Sequence, residues 1–344
     1  MKHYAGLDVS LEETAVCIVE GSGAVVAEFS TASDPAALAA RLEPWRSSLA
    51  RVGLEAGGLS AWLHEGLSAA ELPAVCIETR QMKAYAKASP VKTDRRDARL
   101  IAQAMRTGFF KAVYVKSGAA QALRMALTNR EVVLRQARQL QHKIRGDLRT
   151  FGIKLGALGS GGFAARVKQK LADHPELWAL VEPLLRLRAE QLQQVRAYDR
   201  QLRRLAQADE VCRRLMTVPG VGALTALAYR AGIDRLERFS RSAAVPAVLG
   251  LTPRIDHSGE RERYGAITKA GDKLLRSLLY EAANALLTRV RSWCPLKRWG
   301  LQVAKRRGMN RARVAVARRL AILLFAIWRD GSTFRWSREE PAAA

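Results

Sequence analysis

The sequence predicts a mixed α/β amino-terminal part followed by an all-α remainder. Three observations lead there. Short apolar runs alternate with helical segments over the first hundred residues. Apolar residues then repeat on three- and four-residue steps through the middle of the chain. Helical patterns return from about Val211 onward, broken by glycine-rich turns.

Each element has its own signal. Residues 4–9 form an apolar run closed by Asp8-Val9-Ser10. Residues 14–19 and 24–29 flank Glu20-Gly21-Ser22-Gly23, a hairpin signal. Residues 35–49 and 60–72 read as helices, and residues 52–55 and 74–77 as strands. A basic stretch, 80–92, precedes a helix expected to start at Thr93 or Asp94 and to run through Met105. In the middle, Leu123, Leu127, Leu134, Ala137, Ile144, Leu148 and Phe151 share one stripe, interrupted by Arg130 and Gln141. Leu192, Val195, Tyr198, Leu202 and Leu205 form a second. They read as two long helices, the second starting its run after Pro183 because proline breaks helix interiors. The pair is either a helical hairpin within one chain or an oligomerising coiled coil. Further on, residues 223–231, 239–249, 273–290 and 312–328 read as helices, 252–264 as a polar loop, and the tail from Trp336 as disordered. The expected division is 1–115, 116–210, 211–334 and a tail of 335–344.

Bulk properties narrow the function. The 344 residues carry a formal charge of +25, are 49% hydrophobic and 26% charged, and have a pI near 10.7. Such a balance points to a polyanionic partner, above all nucleic acid. A membrane does not fit, since the longest apolar run, 320–328, is far short of the roughly 20 residues of a span. No secretory signal is read at the amino terminus, where Asp8, Glu12 and Glu13 interrupt any apolar stretch. The four cysteines lack Cys-x-x-Cys spacing and the five histidines lack i,i+4 pairing, so neither a zinc cluster nor a disulfide framework is indicated. Cys17 and Cys76, which sit in apolar runs that read as strands, are expected to be buried thiols in a reducing cytoplasm.

Against this basic background four carboxylates stand out: Asp8 and Glu55 at strand ends, and Asp94 and Asp97 three apart on one helix. Taken singly, each has a plain structural reading. Asp8 is a turn residue, Glu55 an exposed strand end, Asp94 an N-cap and Asp97 a first-turn acid favoured by the helix dipole. Together, on strand, strand and helix, they have the layout of ribonuclease-H-like nucleases, whose carboxylates hold Mg²⁺. Pro219-Gly220-Val221-Gly222 resembles a helix-hairpin-helix turn, whose backbone N–H groups at Gly220 and Gly222 bind phosphate; the alternative is an ordinary helix–helix turn. Ser258, in a Ser-Gly step among Arg254 and Arg261, is a candidate nucleophile, with the arginines as phosphate clamps. The alternative is a turn serine, and His257 beside it reads as structural. Lys305, Arg306 and Arg307, followed by Arg311, Arg313, Arg318 and Arg319, suggest phosphate contacts near a helix start; otherwise they are a solvated basic face.

These motifs together resemble the DEDD transposases of bacterial insertion sequences, the group described as bridge-RNA-guided recombinases. The matching segments are Gly6-Leu7-Asp8, Leu54-Glu55-Ala56, Lys92-Thr93-Asp94 with Asp97-Ala98, Val218 to Gly222, Leu249 to Arg254, Ser258-Gly259 and Thr268-Lys269-Ala270-Gly271. The resemblance implies a RuvC-type ribonuclease-H-like domain, a coiled-coil middle and a mostly helical transposase domain with a helix-hairpin-helix-like motif. It implies Mg²⁺ on Asp8, Glu55, Asp94 and Asp97, and Ser258 as a nucleophile that links covalently to DNA. It also implies nucleic-acid contact through the basic segments, Lys269 included. Donor and target DNA, a structured noncoding guide RNA and a dimer or tetramer of the chain are the implied partners, in the bacterial cytoplasm at the nucleoid. This chain departs after Glu55, at Ala56-Gly57-Gly58-Leu59, where relatives often carry an aromatic residue shortly after, and at Val91, where asparagine is common. Two rivals make different predictions: a junction nuclease that uses water, and a non-catalytic basic scaffold.

Overall fold

A computed structural model describes residues 1–80, 82, 93–157, 161–258 and 261–336, without the side chains of 255–258, 261, 262 and 264. Most of the basic stretch 80–92 and the tail beyond Trp336 therefore lie outside the described residues. The chain divides into two compact units, Met1–Gly118 and Ala119–Ala344.

The first unit is built on a five-stranded sheet. Strands β1 (His3–Val9), β2 (Glu13–Glu20) and β3 (Val25–Ala32) form an antiparallel meander. Helix α1 (Pro35–Leu42) then leads to β4 (Leu49–Glu55), and α2 (Ser60–Ala69) to β5 (Ala74–Ile77). Both later strands pair in parallel, giving the order β3-β2-β1-β4-β5. Helix α3 (Asp94–Thr107) follows. The hairpin and β5 lie where the sequence predicts them. The helix expected over 35–49 is shorter: Pro44 sits in a 3₁₀ turn, Glu43–Trp45, and Leu49 already pairs with His3 as the first residue of β4.

The strands alternate their side chains between two faces, as pleating requires. On one face Ala5, Leu7, Val52 and Leu54 pack with Leu38, Leu42, Leu63 and Leu67 of α1 and α2. On the other, Ala15, Cys17 and Val19 meet Ala98 and Ala102 of α3. The four cysteines are buried and unbridged, Cys17 and Cys76 among them as expected for residues of apolar strands.

In the second unit α4 (Gly118–Thr150) and α6 (Pro175–Ala208) run antiparallel, with α5 (Phe163–Lys170) between them in sequence. The polar interruptions of the stripe are satisfied inside the chain. Arg130 Nε donates to Asp199 Oδ1 at 2.6 Å, and Arg188 Nη2 donates to Gln141 Oε1 at 2.8 Å. The expected break at Pro183 does not occur; α6 starts at Pro175 and passes through it. Leu177, Val181 and Leu185 pack continuously with Ile144, Leu148 and Phe163 across that point, and this burial outweighs the hydrogen bond that proline removes.

Helices α7 (Glu210–Leu215), α8 (Ala223–Ile233) and α9 (Val245–Val248) follow. The helix expected over 239–249 is mostly short turns, with only the four residues of α9 α-helical. The polar segment 252–264, expected as a loop, forms a two-stranded ribbon of β6 (Pro253–Ser258) and β7 (Arg261–Ile267). Helices α10 (Lys273–Thr288), α11 (Pro295–Arg307) and α12 (Met309–Asp330) complete the unit, and α11 has no counterpart in the sequence reading. Val316, Leu320, Leu324 and Phe325 of α12 lie in the core, and Tyr229 Oη donates to Ala321 O at 2.6 Å. Among the described residues no helix is long and apolar enough to cross a membrane.

Candidate active site

Register places the first two carboxylates together. Leu7 of β1 pairs with Leu54 of β4, both pointing into the α1/α2 core. Asp8 and Glu55 come next on adjacent strands, so both turn to the opposite face, the one covered by α3. The residues two before them are glycines, and α3 needs them to be. A Cβ on Gly6 would lie 2.1 Å from Ala98 O and 2.3 Å from Ala102 N, and one on Gly53 2.7 Å from Met105 Cγ. Gly-x-Asp and Gly-x-Glu are thus one device used twice: the glycine lets the helix close on the strand, and the carboxylate emerges beside it.

Helix α3 runs opposite to β1. Its carboxy-terminal half lies by the start of the strands, where Arg51 Nη1 donates to Met105 O at 2.8 Å. Its first turn therefore points toward the strand ends that carry Asp8 and Glu55. Asp94 is one turn before Ala98, about 6 Å along the helix, and Asp8 is two residues past Gly6, about 6.6 Å along the strand. The two lie at a similar level along the sheet. Thr93, not Asp94, is the N-cap, its side chain accepting from Arg96 N at 3.4 Å. Asp94 and Asp97 occupy the first turn, with Asp94 exposed and Asp97 half-buried.

Asp8 and Glu55 line one open cleft of about 300 Å³ with Ser10, Gly57, Gly58 and Ser60. Asp94 and Asp97 are not part of its lining. Among the described residues no three His, Cys, Asp or Glu side chains are grouped closely enough to hold a metal ion. The donors that do line the cleft fit a hard divalent cation: two carboxylates and two hydroxyls, with no histidine or thiol. Ser60 shapes the rim by donating to Gly57 O at 2.8 Å while accepting from Gly57 N at 3.1 Å. Three of the buried cysteines are held in the protonated thiol form. Burial pushes the Cys17 thiol up to about 11, and burial also raises Cys212 and Cys76.

The candidate serine sits at the far end of the β6–β7 ribbon, where Ser258 pairs with Arg261. The side chains of Ser258, His257 and Arg261 lie outside the described residues. The foot of the ribbon is formed by two segments singled out in the sequence. Thr268 N donates to Thr252 O at 2.9 Å, Lys269 N to Gly250 O at 3.1 Å, and Arg276 Nη1 to Leu249 O at 2.9 Å. Gly250 has a left-handed φ of +67°, and a Cβ there would lie 2.3 Å from Ala270 O. Only glycine meets both demands. Arg254, on β6, is exposed.

The turn before α8 divides its two glycines. A Cβ on Gly220 would lie 2.4 Å from Ala282 O of α10, whereas Gly222 faces open space at the amino terminus of α8. Lys305, Arg306 and Arg307 are exposed, but they close α11 rather than open a helix, and α12 begins after Gly308. Cations there also complement the helix dipole.

Comparison with known proteins matches both units. Residues 5–153 match the IS110-type DEDD family model, described as a transposase, and residues 212–297 match that of the transposase IS116/IS110/IS902 family. The transposase for insertion sequence element IS1111A of Coxiella burnetii (strain RSA 493 / Nine Mile phase I) is 31% identical over 285 residues, 81% of this chain and 77% of that protein. The transposase for insertion sequence element IS1328 of Yersinia enterocolitica is 28% identical over 251 residues, 71% and 73% of the two chains. The amino-terminal match implies a ribonuclease-H-like fold for the sheet unit and points to use of a divalent metal. The class is therefore a DNA transposase. The chain belongs to the IS116/IS110/IS902 family of insertion-sequence transposases.

Proposed function

We propose that the protein cuts and rejoins the DNA strands of an insertion sequence, with Asp8, Glu55, Asp94 and Asp97 as the ligands of Mg²⁺ and Ser258 as the nucleophile. The observation that carries this reading is the placement of Asp8 and Glu55 on one face of adjacent strands, in one cleft, toward the start of the helix bearing Asp94 and Asp97. These carboxylates would hold the ion, and Mg²⁺ held there would offset negative charge that builds on phosphate oxygens during strand cleavage. Ser258 Oγ attacks phosphorus and loses its proton. The bond from phosphorus to the departing strand breaks, and that strand's oxygen takes up a proton as a free hydroxyl. A hydroxyl of a second strand then attacks the same phosphorus and gives up its proton, the bond from phosphorus to Ser258 Oγ breaks, and the serine oxygen takes up a proton, which restores Ser258 and joins the new strands.

Arg261, the ribbon partner of Ser258, neutralises the phosphate that the serine attacks, and Arg254, nearer the foot of the ribbon, holds a neighbouring phosphate. Gly222, Lys269 and the Lys305–Arg307 cluster hold strand backbones without reading sequence. Choice of sequence falls to a structured noncoding RNA that pairs with donor and target, in keeping with the resemblance. The carboxylates and the serine lie on two separate compact units, which favours a dimer or tetramer in which one copy's Ser258 serves another copy's carboxylates. The reaction takes place in the bacterial cytoplasm, on nucleoid DNA.

Adduct trapping tests the reading. Wild-type protein with Mg²⁺ and a DNA carrying the element end should give a protein–DNA adduct that survives denaturation. Both Ser258→Ala and Asp8→Ala should abolish it, with cutting down by about 10²–10³-fold. Mg²⁺-dependent cutting that persists in Ser258→Ala would show a water-using nuclease. DNA binding that is unaffected by Asp8→Ala and Glu55→Ala, with no cutting by any form, would show a scaffold.

A further inference from the structure

A groove in the second unit lies between the foot of the β6–β7 ribbon and helices α11 and α12. Its volume is about 1040 Å³, at the large end of the range for pockets that enclose drug-sized ligands. Leu251, Ile267, Val303, Val314 and Ile322 supply an apolar floor. Arg307, Arg311, Arg318 and Arg319 supply the rim, and the described lining contains no carboxylate. Trp299 also lines the groove, and the Arg319 guanidinium lies over its ring with Cζ 3.5 Å from the centroid. Arg319 is exposed, so the outer face of that planar cation is open to a further flat group.

We propose that this groove binds an unpaired segment of a DNA strand, its phosphates on the arginine rim and its bases on the apolar floor and the Arg319–Trp299 stack. The proposal rests on the transposase reading only for the source of the strand. Charge complementarity selects a polyanion. The apolar floor selects among polyanions, because a duplex presents phosphates outward and keeps its base faces stacked inside, whereas an unpaired strand offers those faces to apolar and planar cationic groups. DNA fits better than RNA, because a 2′-hydroxyl is recognised as donor as well as acceptor, and the one side-chain acceptor in the described lining, Asn310 Oδ1, already accepts from Arg313 Nη1 at 2.9 Å. Strand exchange necessarily separates strands, so a transposase meets such segments during its reaction.

Fluorescence anisotropy with the full chain tests this, using a labelled mixed-sequence 12-nucleotide DNA strand, the RNA strand of the same sequence, and the DNA duplex. Arg319→Lys keeps the charge and removes the planar stack. Ala315→Glu puts a carboxylate into the groove lining. Each should weaken binding of the DNA strand about tenfold and change duplex binding less than twofold, with circular dichroism melting confirming the fold. Arg319→Lys is exposed and decides the matter if Ala315→Glu unfolds. Equal losses for strand and duplex, a loss confined to RNA, or no loss with Arg319→Lys would each overturn the proposal. Failure of the transposase reading would appear differently, as absent strand cutting with groove binding intact.

Discussion

The cleft at Asp8 and Glu55 and the ribbon carrying Ser258 solve the same packing problem in different ways. In the sheet unit, Gly6 and Gly53 stand in ordinary extended strands and are needed only because α3 comes too close for a side chain. In the helical unit, Gly250 is needed both for closeness and for a left-handed backbone. The carboxylates are thus fixed by a five-stranded sheet with a core on each face. The serine stands at the end of two strands, and a lone two-stranded ribbon has little stability of its own. Its position depends on the lock at its foot. Asp8 and Glu55 stand on a five-stranded sheet, whereas Ser258 stands at the end of a two-stranded ribbon anchored at its foot.

The sharpest way to break this contrast is by glycine replacement. Gly250→Ala combines left-handed strain of about 1–2 kcal/mol with a backbone clash, and should lower the melting midpoint and release the ribbon. Limited proteolysis should then cut near residues 253–267 while the sheet unit stays intact. Gly6→Ala overpacks α3 against β1 and should cost about 1–3 kcal/mol, confined to the sheet unit. Gly58→Ala, where a Cβ meets nothing within 4 Å, should stay within about 0.5 kcal/mol of wild type. Equal sensitivity at positions 6 and 58 would refute the clearance argument.

A pH scan probes the α3 face of the sheet. The Cys17 thiol is raised by burial, with Glu28 adding to the effect, from 9.0 to about 11. The folded state keeps that proton longer than the unfolded state. Its contribution to stability is therefore complete below pH 9 and is lost as the pH rises through about 11. The melting midpoint should fall over that window, and Cys17→Ala should flatten the fall. A smaller effect is expected at the helix start: Thr93→Ala removes the N-cap of α3 and should cost about 1 kcal/mol, whereas Asp94→Asn, which leaves the cap in place, should cost less. The reverse order would place the cap on Asp94.

These differences follow how far each region was legible in the sequence. The hairpin, β5 and the start of α3 were readable because short apolar runs, the Glu20–Gly23 turn and Thr93 are local signals. Glu55 and Asp8 were readable as candidates, but their adjacency rests on a parallel pairing that no local pattern specifies. The Gly-x-Asp and Gly-x-Glu spacing is the signal that could have revealed it. The ribbon was read as a loop because its strands are polar and its lock joins residues 16 to 27 positions apart. Helix α6 ran through Pro183 because tertiary burial overrode propensity. Neither α11 nor the groove it borders was anticipated, since basic residues dominate the end of that helix.

The central claim, that Asp8 and Glu55 form the core of a metal site, is tested most directly by calorimetric titration of the full chain with Mn²⁺ as a stand-in for Mg²⁺. Wild type and Ser258→Ala should bind alike, and Asp8→Asn and Glu55→Gln should each weaken binding about tenfold or more. Undiminished Mn²⁺ binding in both carboxylate variants would contradict it.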